Sequence, residues 1–169
     1  MQQYPTTIFI RYLHQLKLIV KKIAEHQHQN PALLYTSLHS DMLPLLAQIR
    51  TAANFSLRIC CPLAKRERIS FDNPQETYAG LQQQLDETIA YLHAIPSADF
   101  HQPPERIQDK AGFSELDLNA DEYLHCYALP NFFFHLCMAY SIARHAGVPL
   151  SKGDFDGYHQ YPDGFSFVR

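Results

Sequence analysis

The chain lacks any apolar run long enough to cross a bilayer. A membrane-spanning helix needs about 20 consecutive apolar residues, and every uninterrupted apolar stretch here is far shorter. No N-terminal segment combines a basic start, an apolar run and a small-residue cleavage site, as a secretory leader does. We therefore expect a cytoplasmic protein with no membrane partner.

A basic surface of the kind that binds nucleic acid is also missing. The formal net charge is -3, whereas nucleic-acid-binding domains cluster lysine and arginine. The densest basic run, from Lys65 to Arg68, is interrupted by Glu67 and is typical of a solvated connection. With 46% hydrophobic and 18% charged residues, the 169-residue chain is typical of one globular domain spanning residues 1–169.

Motifs for nucleophilic or phosphate chemistry are absent as well. There is no Gly-rich phosphate loop, no GxSxG turn and no CxxC pair. The four cysteines, at positions 60, 61, 126 and 137, are interpreted as free, buried thiols in a reducing compartment. Cys126 and Cys137 lie outside any motif that activates a thiol, so the sequence does not support a cysteine nucleophile.

Helical periodicity is what the sequence does contain. Apolar residues at helical spacing predict a first helix over residues 5–26. A second helix is predicted to open at Asp41, placed to cap it or to favour its dipole, and to end at Pro62. A third is predicted to start with Asn73 as its cap.

The longest predicted helix covers residues 119–147 and is apolar on nearly every face, which is typical of a buried helix. Asn119 begins a capping box and Gly147 ends the helix. Pro130 is predicted to kink it, because proline removes one helical hydrogen bond, and the kink would open the helix just before Asn131.

Two segments have no helical period. Residues 106–108 and 114–118 flank Lys110-Ala111-Gly112, which predicts a two-stranded β hairpin before the fourth helix. After Gly147 comes an aromatic-rich C-terminal tail, which we expect to pack against the helices or a second subunit. Its aromatic residues are Phe155, Tyr158, Tyr161, Phe165 and Phe167.

Three polar residues interrupt the apolar faces of two helices. Asn131 and His135 are four residues apart on the fourth helix, so they share one side of it. Gln48 interrupts the apolar face of the second helix. If these two helices pack together, Gln48 approaches Asn131 and His135 in the interior, where bundles commonly build binding sites.

The stretch LPNFFFHLCMAYSIARHAGVPL, together with DMLPL at 41–45, resembles an uncharacterised bacterial family of the DinB-like (DinB/YfiT) superfamily. The resemblance implies an all-α four-helix bundle, often dimeric. Many superfamily members hold a divalent metal with three histidines, and some are thiol-dependent transferases or isomerases. The resemblance places those three positions at Gln48, Asn131 and His135, so that two of the three ligands are amides here.

The first functional hypothesis is a small polar ligand bound at this position. Gln48, Asn131 and His135 would orient it, with Asp41 as a further contact, and His135 is a candidate general base because its ordinary pKa lies near neutrality. Apolar side chains around a few polar groups are typical of binding pockets. The expected walls are Tyr127, Phe134, Met138 and Tyr140.

Two alternatives stay open. In one, His135 is a ligand of a divalent metal, zinc or nickel, with help from His39, Asp41 or His125, although amides are poor ligands for these ions. In the other, Gln48, Asn131 and His135 form a buried hydrogen-bond network in a structural homodimer. A dimer is expected because the fourth helix carries more apolar surface than one bundle needs.

Overall fold

The computed structural model describes residues 4–162, 164–166 and 168, which form a mostly helical chain with one small antiparallel sheet. The helices are α1 (Pro5–His26), α2 (Leu45–Leu63), α3 (Tyr78–Ala94), α4 (Ala120–Glu122), α5 (Leu129–His145) and α6 (Lys152–Asp156). Short 3₁₀ helices cover Pro31–Tyr35 and Ser97–Phe100, and a π-helical segment covers Tyr123–Ala128. The strands are β1 (Arg106–Ala111) and β2 (Ser114–Asn119).

The helices pack pairwise around one apolar core. α2 contacts both α5 and α3, and α1 contacts α3 and α6. The predicted stripe of α1 is confirmed, since its five apolar residues are completely buried: Phe9, Leu13, Leu16, Val20 and Ile23. No helix in the described part of the chain is long and apolar enough to span a membrane.

The predicted start of α2 is wrong. The helix begins at Leu45 with Pro44 at its N-cap, so Asp41 lies outside it and does not cap it. Proline fixes the backbone at this boundary, and the Asp41 carboxylate instead pairs with the exposed His39 in the preceding turn.

The predicted end of α2 is also wrong, because the helix continues through Pro62 to Leu63. Proline lacks the N–H that would bond the carbonyl four residues earlier, which belongs to Arg58. The hydroxyl of Tyr123 lies 3.1 Å from that carbonyl oxygen and 2.6 Å from Oδ2 of Asp109, so its one proton is shared between two acceptors. A polar group from a distant part of the chain therefore lies at the carbonyl that the proline leaves without a helical donor.

The start of α3 differs from the prediction as well. Asn73 makes a local turn, in which its side chain accepts a hydrogen bond from the N–H of Gln75 at 3.0 Å. The N-cap is Thr77, whose hydroxyl accepts from the N–H of Gly80. Both residue types favour helix caps, and the one followed by the apolar stripe caps the helix.

The predicted fourth helix is a continuous helical run from α4 through the π segment to α5. Its boundaries are confirmed: Asn119 accepts a hydrogen bond from the N–H of Glu122 at 2.8 Å, and Gly147 has a φ of 86° just beyond the end. The π segment precedes Pro130, and the N–H of Leu129 bonds the carbonyl of Leu124, five residues back. A widened turn thus accommodates the proline.

The hairpin prediction is confirmed, with β1 and β2 antiparallel and Ile107 paired with Leu118. In the tail, Phe155 contacts the rings of Tyr12 and Tyr140, while Phe167 lies outside the described residues. Of the cysteines, positions 60 and 61 are buried, but Cys126 is exposed, contrary to the prediction.

The apolar excess expected on the fourth helix is largely covered within one chain. Phe132 and Leu136 are fully buried, and Phe133 packs edge-on against Tyr12. Phe134 is the exception at 50% exposure. The exposed apolar surface of this helix is therefore smaller than the sequence indicates, and the dimer stays a prediction.

Candidate functional site

The contact between α2 and α5 brings together two of the predicted site residues. Nδ1 of His135 lies 2.7 Å from Oε1 of Gln48. Gln48 is only 2% exposed, whereas His135 is half-buried. The helical phase of the two apolar faces turns both side chains to the same interface, as the sequence predicts.

The second hydrogen bond of Gln48 determines which imidazole nitrogen carries the proton. Nε2 of Gln48 donates to the carbonyl of Leu43 at 3.2 Å, so Oε1 is the atom that faces His135. An amide oxygen only accepts, which means that Nδ1 of His135 donates. In the neutral ring Nε2 then holds the lone pair, and no residue in the described part of the chain hydrogen-bonds to it.

Aromatic rings enclose the imidazole on two sides. Phe55 stacks on it at 5.5 Å with an interplanar angle of 24°, and Phe134 meets it edge-on at 5.2 Å. Burial lowers the pKa of His135 below its ordinary value of 6.5, because an apolar environment disfavours the charged ring. His135 is therefore neutral at pH 7 and offers a hydrogen-bond acceptor.

Asn131 does not join the Gln48–His135 pair by a hydrogen bond. Its Nδ2 donates to the carbonyl of Tyr127 at 2.6 Å, one turn earlier in the chain. This bond leaves Oδ1 as an acceptor on the half-buried side of α5 that also carries His135. Of the three residues expected to meet, Gln48 and His135 are hydrogen-bonded to each other, and Asn131 is a neighbour on the same helix.

The other residues predicted for the site divide into two groups. Tyr127 packs edge-on against Phe55 at 6.1 Å, and Met138 is half-buried one turn after His135. Tyr140 lies elsewhere, against Phe155, because five helical positions turn it well away from His135.

Asp41 lies in a different environment from Gln48 and His135. Its side chain is 82% exposed and pairs with His39 rather than with Gln48. Asp41 was expected to share a helix with Gln48, but α2 begins only at Leu45. Among the described residues, Asp41 makes no hydrogen bond to Gln48 or His135, and its role in ligand binding stays a prediction.

A charged cluster beside the site was not predicted. Nε of Arg58 donates to Oδ2 of Asp109 at 2.8 Å, and the hydroxyl of Tyr123 lies 2.6 Å from the same oxygen. The Arg58 guanidinium also lies 6.0 Å from the centre of the Tyr127 ring. Arg58 and Asp109 are 51 positions apart in the sequence, so no local signal predicts this contact.

The residues present do not fit a zinc or nickel centre. Oε1 of Gln48 already accepts a hydrogen bond from His135, and no second imidazole among the described residues hydrogen-bonds to this pair. The described residues contain no group of three His, Cys, Asp or Glu side chains placed to hold a metal. His125 pairs with Asp121 on the exposed side of its helix.

Cavities of about 330–620 Å³ occur elsewhere among the described residues, and Gln48, Asn131 and His135 do not line these. A ligand at His135 would therefore bind at the half-exposed edge of the α2–α5 interface.

Comparison with known proteins places the chain in a family. Residues 1–156 match the family described as a domain of unknown function, DUF1993. The chain belongs to the DUF1993 family. A solved structure of a DinB family member protein from Shewanella denitrificans is similar to this DUF1993 protein, with a TM-score of 0.79 and 27% identity. That similarity covers 93% of this chain and 92% of the other, and no curated protein matches. The assignment to the DinB-like superfamily is confirmed.

Proposed function

We propose that this DUF1993 protein is a single-domain DinB-like four-helix bundle that binds a small polar ligand at His135. The observation that carries the proposal is the free Nε2 of a neutral imidazole, whose other nitrogen is held by the buried Gln48. A fixed tautomer with one open acceptor is suited to bind a ligand hydroxyl or N–H.

The surroundings support a ligand with hydrogen-bond donors and little charge. Oδ1 of Asn131 is a second acceptor on the same side of α5, and Phe55, Tyr127 and Phe134 supply apolar surface. A neutral His135 can also accept a proton as a general base. The carboxylate of Asp109 is already engaged by Arg58 and Tyr123, so it is not available as a partner acid.

Nuclear magnetic resonance of the His135 ring tests the proposal. We expect acetamide and glycerol, which donate hydrogen bonds, to shift the His135 ring signals, and acetate, which only accepts, to leave them unchanged. His125→Gln is the matched control, because His125 is exposed on the preceding turns of the same helical run. Equal shifts of the His135 ring signals with acetate, or acetamide-induced backbone shifts at residues 131–138 that persist in His135→Phe, would contradict the proposal.

A structural role is the second candidate, and one observation favours it. Both polar atoms of the Gln48 side chain have hydrogen-bond partners within the chain, and such a satisfied pair can fix the register of α2 against α5. Under this alternative, the protein is a homodimer, with the exposed Phe134 as part of the contact. Donor-independent NMR shifts and a dimer in light scattering would favour it.

A further inference from the structure

Arg58 keeps one free donor nitrogen beside the candidate site. Its Nε and Nη2 atoms donate to the carboxylate of Asp109, and Nη2 also bonds the carbonyl of Lys110. In a planar guanidinium the third nitrogen lies opposite the edge that the other two form. Nη1 therefore points away from Asp109, and it has no hydrogen-bond partner in the part of the chain that the structure describes.

The charge of this cluster is not fully compensated. Nη2 of Arg68 lies 3.6 Å from Oδ2 of Asp109, so two guanidinium groups share one carboxylate. Neither arginine forms an ion pair with a second carboxylate among the described residues. The cluster keeps one positive charge in excess, although the whole chain has a net charge of -3. A local excess of this kind attracts anions.

One aromatic ring connects this cluster with His135. The centre of the Phe55 ring lies 5.5 Å from the centre of the His135 ring and 5.4 Å from Cζ of Arg58. The imidazole and the guanidinium are therefore no farther apart than the sum of those two distances. Phe55 is buried and already stacked on the imidazole, so it acts as a spacer between the two polar groups and is not itself a ligand contact.

The hydroxyl of Tyr127 is a further free polar group next to this spacer. The Tyr127 ring centre lies 6.0 Å from Cζ of Arg58 and 6.1 Å from the Phe55 ring centre. Burial raises the pKa of Tyr127, so its hydroxyl stays protonated and can donate. This hydroxyl, Nη1 of Arg58 and Nε2 of His135 all lack a partner among the described residues. None of them is a buried atom, so each one is open to solvent.

We propose that the ligand of the His135 site is a short organic acid, with a hydroxyl or N–H at one end and a carboxylate at the other. This inference rests on the function proposed above, because the donor end binds Nε2 of His135. The carboxylate accepts hydrogen bonds from Nη1 of Arg58, and the excess charge shared with Arg68 stabilises it. The end at His135 stays uncharged, which agrees with an imidazole that accepts a hydrogen bond.

NMR titrations of the wild-type protein with γ-hydroxybutyrate, followed at the His135 ring, test this inference. γ-Hydroxybutyramide is the neutral analogue, and butyrate is the acid without the hydroxyl. We expect the His135 signals to report at least about threefold tighter binding of γ-hydroxybutyrate than of the amide, as one partly exposed charge pair contributes. Butyrate should leave these signals unchanged. Raising the salt from about 0.05 to about 0.5 M should reduce the preference for the acid.

Arg58→Lys tests the guanidinium. Lysine keeps a charge for Asp109 but has a single nitrogen, so it cannot also bind the ligand in the same way. We expect this variant to lose the preference for the acid over the amide. Arg106→Lys is the matched control, because Arg106 forms an exposed ion pair with Asp117 on the hairpin. Circular dichroism checks that both variants fold, and the wild-type ligand series decides the question without them.

The outcomes separate this inference from the function on which it rests. Equal affinity for the acid and the amide, both with His135 shifts, overturns the inference and leaves the His135 site intact. Butyrate that binds as tightly as γ-hydroxybutyrate also overturns it, since the acid then binds without His135. A preference for the acid that persists in Arg58→Lys assigns the carboxylate to another cation and overturns it too. Absence of His135 shifts with all these ligands overturns both proposals.

Discussion

Two of the polar contacts that α2 makes with other parts of this molecule differ in charge and in completeness. The Arg58–Asp109–Tyr123 cluster is ionic, and the Asp109 carboxylate is satisfied from several directions. The Gln48–His135 pair is neutral and has one nitrogen without a partner among the described residues. The ionic cluster therefore has its hydrogen bonds satisfied within the fold, whereas the neutral pair keeps one acceptor, Nε2 of His135, that a ligand can use.

The ionic cluster also connects three elements that are distant in sequence. Asp109 belongs to β1, Arg58 to α2 and Tyr123 to the π segment before α5. Burial and the adjacent carboxylate raise the pKa of Tyr123 far above its ordinary value, so its hydroxyl stays a donor. It lies within hydrogen-bond distance of both Asp109 and the carbonyl that Pro62 leaves without a helical donor.

The largest effect is expected from Asp109→Asn. The change keeps the shape but removes the charge that pairs with Arg58 and accepts from Tyr123, so we expect a loss of about 3 kcal/mol in the free energy of unfolding. Urea unfolding followed by circular dichroism measures it. Asp117→Asn is the control, because Asp117 pairs with Arg106 on the same hairpin with both side chains exposed. Equal losses in both variants would mean that the buried ionic cluster stabilises the fold no more than an exposed ion pair does.

A second, smaller loss is expected from Gln48→Ala. The change leaves Nδ1–H of His135 without its acceptor inside the α2–α5 interface, and an unsatisfied buried donor costs about 1–3 kcal/mol. Gln83→Ala is the matched control, since Gln83 is exposed on α3 and bonds only Glu87 of its own helix. If Gln48→Ala is as stable as the control, the neutral pair does not hold the two helices together.

The sequence predicts those features of the fold that are determined by residues close to one another in the chain. The extent of α1, the cap at Asn119 and the stop at Gly147 follow from neighbouring residues, and the structure confirms them. The meeting of Gln48 with His135 follows from helical phase, because each interrupts an apolar face and the two faces pack together.

The other helix boundaries and the ionic cluster depend on packing between distant segments, which neighbouring residues do not determine. Asn73 and Thr77 are both good caps, and only packing of α3 selects Thr77. Pro62 was interpreted as the end of a helix, whereas the helix continues to Leu63 with the hydroxyl of Tyr123 beside the carbonyl that the proline leaves free. The ionic partner of Arg58 lies on a hairpin whose position relative to α2 is a property of the whole fold.

The pH dependence of stability sharpens the contrast between the two contacts. Burial lowers the pKa of His135 in the folded state, so the unfolded chain binds a proton more readily as the pH falls below 6.5. We expect His135 to reduce stability progressively below that pH and to have no such effect above it. Urea unfolding at pH 7.5 and at pH 5 should show a larger loss for the wild type than for His135→Gln. Equal losses would show that His135 titrates normally.

The smallest effect on stability is expected from Asn131→Ala, and this variant separates binding from folding. The amide of Asn131 bonds only the carbonyl one turn back on its own helical run, so its loss should change the unfolding free energy by less than about 1 kcal/mol. The same variant should weaken the acetamide-induced shifts of His135, because the second acceptor is gone. Cys137→Ala, also half-buried on α5, is the control for a general change in the helix. Loss of stability without any change in the acetamide response would assign Asn131 to the fold alone and leave His135 as the only acceptor of the proposed site.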